Sequence, residues 1–206
     1  MEQARLAELV ASKLCHDFMG PMTAMVHGLE LLKQQPSSDP EALSLLENGV
    51  TKAHAKLDFY RHALGGALGS EGDAPLSAGH ASAQSLFSTF KARLDWQAPD
   101  LPLPRAAIRV VLNVLMIAND CLPKGGVVTL LIEDGELRII AQGERMKLKA
   151  DTAAGLAGNF SEDGYQGLNP QPFLTNLMAR QAGVEIVAQQ IPERIEFALK
   201  GALFAA

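Results

Sequence analysis

Apolar residues in the first third of the chain recur in steps of three and four. From about Glu2 to Gln34, the residues Leu14, Phe18, Met22, Met25, Leu29 and Leu32 make one such stripe, the spacing of a single helix face. The segment Gln35-Pro36-Ser37-Ser38-Asp39-Pro40 interrupts it. Asp39 suits an N-cap, and Pro40 suits the first helical position, where its missing N–H costs nothing. A second stripe follows: Leu43, Leu46, Val50, Ala53, Leu57, Tyr60 and Leu64 alternate as a heptad seam. Gly65-Gly66 supplies a stop. So short a connection predicts antiparallel neighbours. Two striped helices cannot enclose a core alone. Residues 1–66 therefore predict a homodimerising hairpin that completes a four-helix bundle with its copy, the alternative being a hairpin packed on its own chain.

The pattern then changes. Residues 67–82 are rich in Gly, Ala and Ser and read as a linker. Residues 83–206 read as a mixed layer of helices and strands. Ala83 to about Leu94 is an amphipathic helix, Leu94–Gln97 a short strand, and Leu103 to about Leu122 an apolar helix stopped by Pro123-Lys124-Gly125-Gly126. Val127–Glu133 and Glu136–Gln142 are strands joined at Asp134-Gly135, a strong hairpin signal. Residues 151–170 read as loop, Pro172 to about Ala182 as helix, and Val184–Gln189 and Ile195–Leu199 as closing strands. The expected class is α+β.

Composition narrows the function. The chain has 206 residues, 48% hydrophobic and 20% charged, with a formal net charge of −5. No Lys/Arg run occurs, which argues against nucleic acid and anionic membrane as partners. The charged N-terminal segment lacks a signal-peptide core, and no stretch reaches the ~18 apolar residues of a membrane span. A cytoplasmic location is expected.

The chemistry centres on Leu14-Cys15-His16-Asp17-Phe18-Met19-Gly20-Pro21. Two residues subtend about 200° on a helix, so His16 points away from both Leu14 and Phe18. A mid-helix histidine off the core face is free to meet a partner. Pro21 lies inside a helix that otherwise continues, where a proline removes a hydrogen bond and bends the axis at a cost of ~3 kcal/mol. No pair among His27, His54, His62 and His80 has metal-ligand spacing, so no metal site is expected.

The stretch LAELVASKLCHDFMGPMTAMVHGLELL resembles the phosphoacceptor helix of two-component histidine kinases: His, an acid, two variable positions, a polar residue and Pro. His16, Asp17 and Pro21 match, as does the downstream Gly28-Leu29-Glu30-Leu31-Leu32. Over nearly its whole length the chain is similar to the ChpT-type histidine phosphotransferases of alphaproteobacteria. That resemblance implies a dimerising hairpin followed by a degenerate histidine-kinase-ATPase-like α/β sandwich.

The same resemblance sets three segments against the kinase nucleotide motifs, and each departs from them. Asn113-Val114-Leu115-Met116-Ile117-Ala118-Asn119-Asp120 stands where the kinases carry Asn-x-x-x-Asn-Ala-x-Lys. Ile117 replaces the Mg²⁺-binding Asn and Asp120 the Lys; an isoleucine cannot ligate a hard cation. Ala141 to Leu148 lacks the adenine-binding Asp. Gly164-Tyr165-Gln166-Gly167-Leu168-Asn169-Pro170 keeps Gly167-Leu168, but Pro170 removes an N–H donor.

The expected function is thus histidine phosphotransfer. His16 would shuttle a phosphoryl group between aspartyl-phosphate receiver domains of a hybrid kinase and of response regulators, without charging by ATP. No cofactor is expected on this chain, Mg²⁺ coming from the receiver. A neutral imidazole is a competent nucleophile near pH 7, since histidine ordinarily titrates at about 6.5. Asp17 is a candidate for orienting the ring or accepting its proton. Lys13, Met19, Gly20, Met22 and Thr23 are candidate partner-binding residues, and Lys13 could hold a phosphoryl oxygen. Gly20 replaces the polar residue that positions water in bifunctional kinases. The alternatives are an ATP-dependent sensor kinase core and a non-catalytic dimeric adaptor.

Overall fold

A computed structural model describes residues 3–34, 40–69, 71–159, 169–201 and 204. The two expected helices are α1 (Gln3–Gln34) and α2 (Pro40–Ala63), packed along their lengths. The expected N-cap Asp39 lies outside the described residues. Small residues bring the helices together. A Cβ on Gly28 would sit 2.8 Å from the Ala42 carbonyl oxygen, and one on Gly49 would sit 2.5 Å from Met25 Cγ. Glycine costs about 1 kcal/mol in a helix interior, and these two close approaches are its return.

The large seam residues face elsewhere. Leu43, Val50 and Leu57 of α2 are exposed, as are Met19, Met22, Val26 and Leu29 of α1. Within the hairpin the seam is split: Leu46 and Tyr60 meet α1, while Leu43, Val50 and Leu57 face away from it. Met22, expected in the core, is half exposed. The far end of α2 turns Phe59, Tyr60 and Ala63 into the core shared with the rest of the chain, so packing continues through residue 66.

The stretch expected as a linker carries regular structure, which corrects that reading. Strand β1 (Asp73–Pro75) pairs antiparallel with β3 (Pro102–Pro104), and a 3₁₀ turn at Leu76–Gly79 leads into α3 (His80–Phe87). Leu76 is fully buried. Helix α3 thus begins at His80 and ends at Phe87, well before Leu94. Strand β2 (Ala92–Trp96), helix α4 (Arg105–Asp120), and strands β4 (Gly126–Glu133) and β5 (Glu136–Gln142) follow. A short helix, α5 (Ala150–Leu156), occupies part of the expected loop 151–170, then α6 (Gln171–Gln181), β6 (Glu185–Ile191) and β7 (Arg194–Lys200).

The main sheet has the order β2-β4-β5-β7-β6, with β2 parallel to β4 and the other pairs antiparallel. Register aligns Leu130, Ile139 and Phe197 across three strands, and Val128, Ala141 and Ile195 beside them. All six are fully buried, as the period of two requires for one covered face. Helix α4 contacts β4, β5 and β7, and its residues from Val110 to Ala118 are all buried. The architecture is the α+β arrangement expected: a helical hairpin followed by a mixed sheet with packed helices. No described helix is long and apolar enough to cross a membrane.

The candidate phosphoacceptor site

His16 stands out from α1 with its side chain 89% exposed, while that of Asp17, one residue on, is only 16% exposed. The angular argument anticipates the first value: His16 faces away from Leu14 and Phe18, which pack toward the core. Asp17 is directed at α2. Its Oδ2 accepts hydrogen bonds from Lys13 Nζ at 2.8 Å and from the Tyr60 hydroxyl. Lys56 Nζ donates to the Asp17 backbone carbonyl at 2.5 Å. The second carboxylate oxygen, Oδ1, lies 3.7 Å from His16 Nδ1. At that length the contact is electrostatic rather than a hydrogen bond.

These neighbours set the charges. Burial opposes ionisation of Asp17, but the bonds from Lys13 and Tyr60 and the charges of Lys13 and Lys56 outweigh it, so its carboxyl titrates below the usual range. Burial, reinforced by the Asp17 carboxylate, pushes the Tyr60 phenol far up, and it remains a donor. Partial burial lowers the Lys56 ammonium, with Asp17 opposing that shift.

The other candidates sit around this centre. Met19, Met22, Thr23 and Gly20 are all exposed, and nothing lies within 4 Å of a Cβ placed on Gly20. Lys13, Asp17 and His16 line an open groove of about 470 Å³ with Leu9, Ser12, Asn169 and Pro170. Asn169 and Pro170, noted in the sequence only as the remnant of a glycine-rich turn, thus stand beside His16. A smaller cavity of about 140 Å³ continues inward between Lys13, Asp17, Lys56 and Tyr60 of the hairpin and Leu86, Phe90, Met116 and Asp120.

Residues aligned with the first nucleotide motif have other work. Asn113 is fully buried. Its amide donates to the Ala63 carbonyl at 2.9 Å and to the Arg109 carbonyl at 2.7 Å, and accepts from Gln171 Nε2. Arg109 donates to the Leu64 carbonyl at 3.1 Å and Arg105 to that of Leu68 at 2.7 Å. This row, spaced four residues apart on α4, supplies donors to the last carbonyl of α2, at Ala63, and to the carbonyls of Leu64 and Leu68 in the turn that follows it. Gly65, at φ 113°, ends α2 where the Arg109 guanidinium occupies the space of a Cβ. Ile117 and Asp120 line a cavity of about 270 Å³ with Cys121, Lys147, Lys149, Asp151, Thr152 and Asn169. Crowding by protein pushes the Asp120 carboxyl up, against the pull of Lys13 and Lys149. Residues Gly164 to Leu168 of the third motif lie outside the described residues.

Tyr60 and Lys56 were missed as site residues. Tyr60 reads as one more apolar seam position, and Lys56 reads as an exposed charge. The available signals were a phenol in an otherwise aliphatic seam and a proline four residues after Asp17.

Comparison with known proteins identifies the family. The model of the histidine phosphotransferase C-terminal domain matches residues 79–194. The protein phosphotransferase ChpT of Brucella abortus (strain 2308) is 30% identical over 198 residues, covering 93% of this chain and 93% of that protein. A solved structure of a bacterial phosphotransferase is 27% identical, with a TM-score of 0.84 over 97% of this chain and 98% of that one.

Proposed function

Because the chain belongs to the ChpT-type histidine phosphotransferase family, we propose that His16 accepts a phosphoryl group from the aspartyl phosphate of one receiver domain and delivers it to the aspartate of another. The observation that carries this reading is a single imidazole, 89% exposed, beside an anchored carboxylate. The Asp17 charge nearest Nδ1 favours the proton on that nitrogen, leaving the Nε2 lone pair facing outward. Nε2 attacks phosphorus in line; the N–P bond forms as the P–O bond to the aspartate breaks, and the carboxylate leaves with the electron pair. The ring keeps its Nδ1 proton and gains positive charge, which Asp17 stabilises. Mg²⁺ belongs to the receiver and neutralises the phosphoryl oxygens. The reverse sequence loads the next receiver.

The second domain does not fit a nucleotide with its cation. Ile117 offers no oxygen where the kinases place a Mg²⁺ ligand, and in the same cavity Asp120 and Asp151 are offset by Lys147 and Lys149. The groove shared by His16, Asn169 and Pro170 is where a receiver would touch both parts of the chain, with Met19, Met22 and Thr23 as adaptable rim contacts. The unpartnered apolar strip of Val26, Leu29, Leu43, Val50 and Leu57 is assigned to a second copy of the chain, completing a four-helix bundle.

The deciding experiment mixes the purified chain with a radiolabelled phospho-receiver and no ATP. Acid-labile label on the wild type, and none on His16→Ala, is the expected result. Labelling from ATP alone would instead make the chain a kinase. Light scattering should give twice the 22.0 kDa chain mass, and Val50→Asp should halve it.

A further inference from the structure

In an α-helix the carbonyl of residue 17 accepts from the N–H of residue 21. Here residue 21 is Pro21, which has no N–H, so the Asp17 carbonyl loses its helical donor. Lys56 of α2 supplies one in its place, at 2.5 Å. One helical turn further along α2, the Tyr60 hydroxyl donates to Asp17 Oδ2. The second helix therefore holds Asp17 twice, by its backbone and by its side chain. Lys13 occupies the remaining approach to Oδ2 at 2.8 Å, and only Oδ1 is left facing His16.

We propose that Lys56 and Tyr60 are positioning residues for phosphotransfer: a two-point clamp, made possible by Pro21, that fixes Asp17 and through it the tautomer of His16. The inference rests on His16 being the phosphoacceptor. A carboxylate tethered at one oxygen cannot swing away from the imidazole, so the Nδ1–H form is favoured before any partner arrives. Prior ordering of this kind removes a step that docking would otherwise have to supply. The proline is then no mere bend. By freeing a carbonyl it creates the acceptor that draws Lys56 inward. The titratable groups facing Asp17 are Lys13 and the His16 imidazole from α1, Lys56 and Tyr60 from α2 and Asp120 from α4.

The test reads the free, full-length chain, so it does not depend on transfer. Two-bond ¹⁵N–¹H correlation spectra report the tautomer of each of the five histidines, and His16→Ala identifies the His16 signals. Wild type should be dominated by the Nδ1–H form. Tyr60→Phe, Lys56→Met and Pro21→Ala should each shift His16 toward the mixture of an unrestrained imidazole, and transfer should fall roughly 5- to 20-fold. Pro21→Ala restores the N–H and releases Lys56, so adding Lys56→Met to it should change the tautomer no further. An unaltered tautomer in Lys56→Met and Pro21→Ala, whatever their melting temperatures, would overturn the clamp and leave these residues as helix staples. Should wild type itself fail to accept phosphate, the phosphoacceptor reading falls, while the spectra still decide whether the clamp exists.

Discussion

The surroundings of His16 and the cavity at the end of α4 meet across a shared set of charges, yet they are built on opposite terms. Around His16, the carboxylate and carbonyl of Asp17 each have donors, and one oxygen is left for the imidazole. Around Ile117, an apolar side chain stands among two carboxylates and two lysines. Asn113, one turn earlier on the same helix, has been turned to the end of α2 instead. In the first region the polar groups converge on one carboxylate beside an imidazole; in the second, the Asn113 amide is spent on the carbonyls of the fold.

This contrast can be broken most sharply at Asn113. If it serves the fold, Asn113→Ala strands the Ala63 carbonyl and the Gln171 amide in the interior. The expected loss is about 2–4 kcal/mol, a drop of roughly 4–16 °C in Tm, read by thermal denaturation. A nearly unchanged Tm would return Asn113 to ligand binding and erase the distinction between the regions.

The two aspartates sharpen the contrast through pH, with opposite signs. Asp17 titrates below its usual value of 3.8 in the folded chain. Its contribution is therefore present above about pH 4 and lost as pH falls through the lowered value. Asp17→Asn should cost about 1 kcal/mol at neutral pH, and much less in strong acid. Asp120 titrates above its usual value, so its ionised form works against folding and the penalty vanishes at low pH. Asp120→Asn should raise Tm at neutral pH by about 1 °C and have no effect near pH 3. Denaturant titrations across pH 2–8 measure both; effects of the same sign would show that the two sites share one logic after all.

Much of this was legible in advance. The 3.6 and 2 periodicities located the hairpin, α4 and the β4–β5 pair, because each has a long, consistent pattern. The outward direction of His16 followed from its angle to Leu14 and Phe18; its role was an expectation carried by the resemblance. The elements that escaped are short and locally ambiguous. Strands β1 and β3 are three residues each and both contain proline, which ordinarily argues against a strand. Helix α5, Ala-Asp-Thr-Ala-Ala-Gly-Leu, has too few large apolar residues to show a face. The contact within the hairpin was not legible for a different reason. Large residues advertise a seam, but here Gly28, Ala42 and Gly49 make the contact within the chain, and Leu43, Val50 and Leu57 remain outside. Lys56 and Tyr60 escaped because their partner lies on another helix, a relation that spacing along one helix does not encode.

The row of Arg105, Arg109 and Asn113 against the carbonyls of Leu68, Leu64 and Ala63 has a consequence for anyone who would cut this chain into modules. A hairpin excised after residue 66 would carry an uncapped helix end and would uncover Phe59, Tyr60 and Ala63, which the second half now covers. Tyr60 would then lose its packing at the place where it grips Asp17. A chimaera that grafts the hairpin onto another body would have to import α4 with it. In this family member, the unit that can be inherited intact is the hairpin together with the helix that closes it.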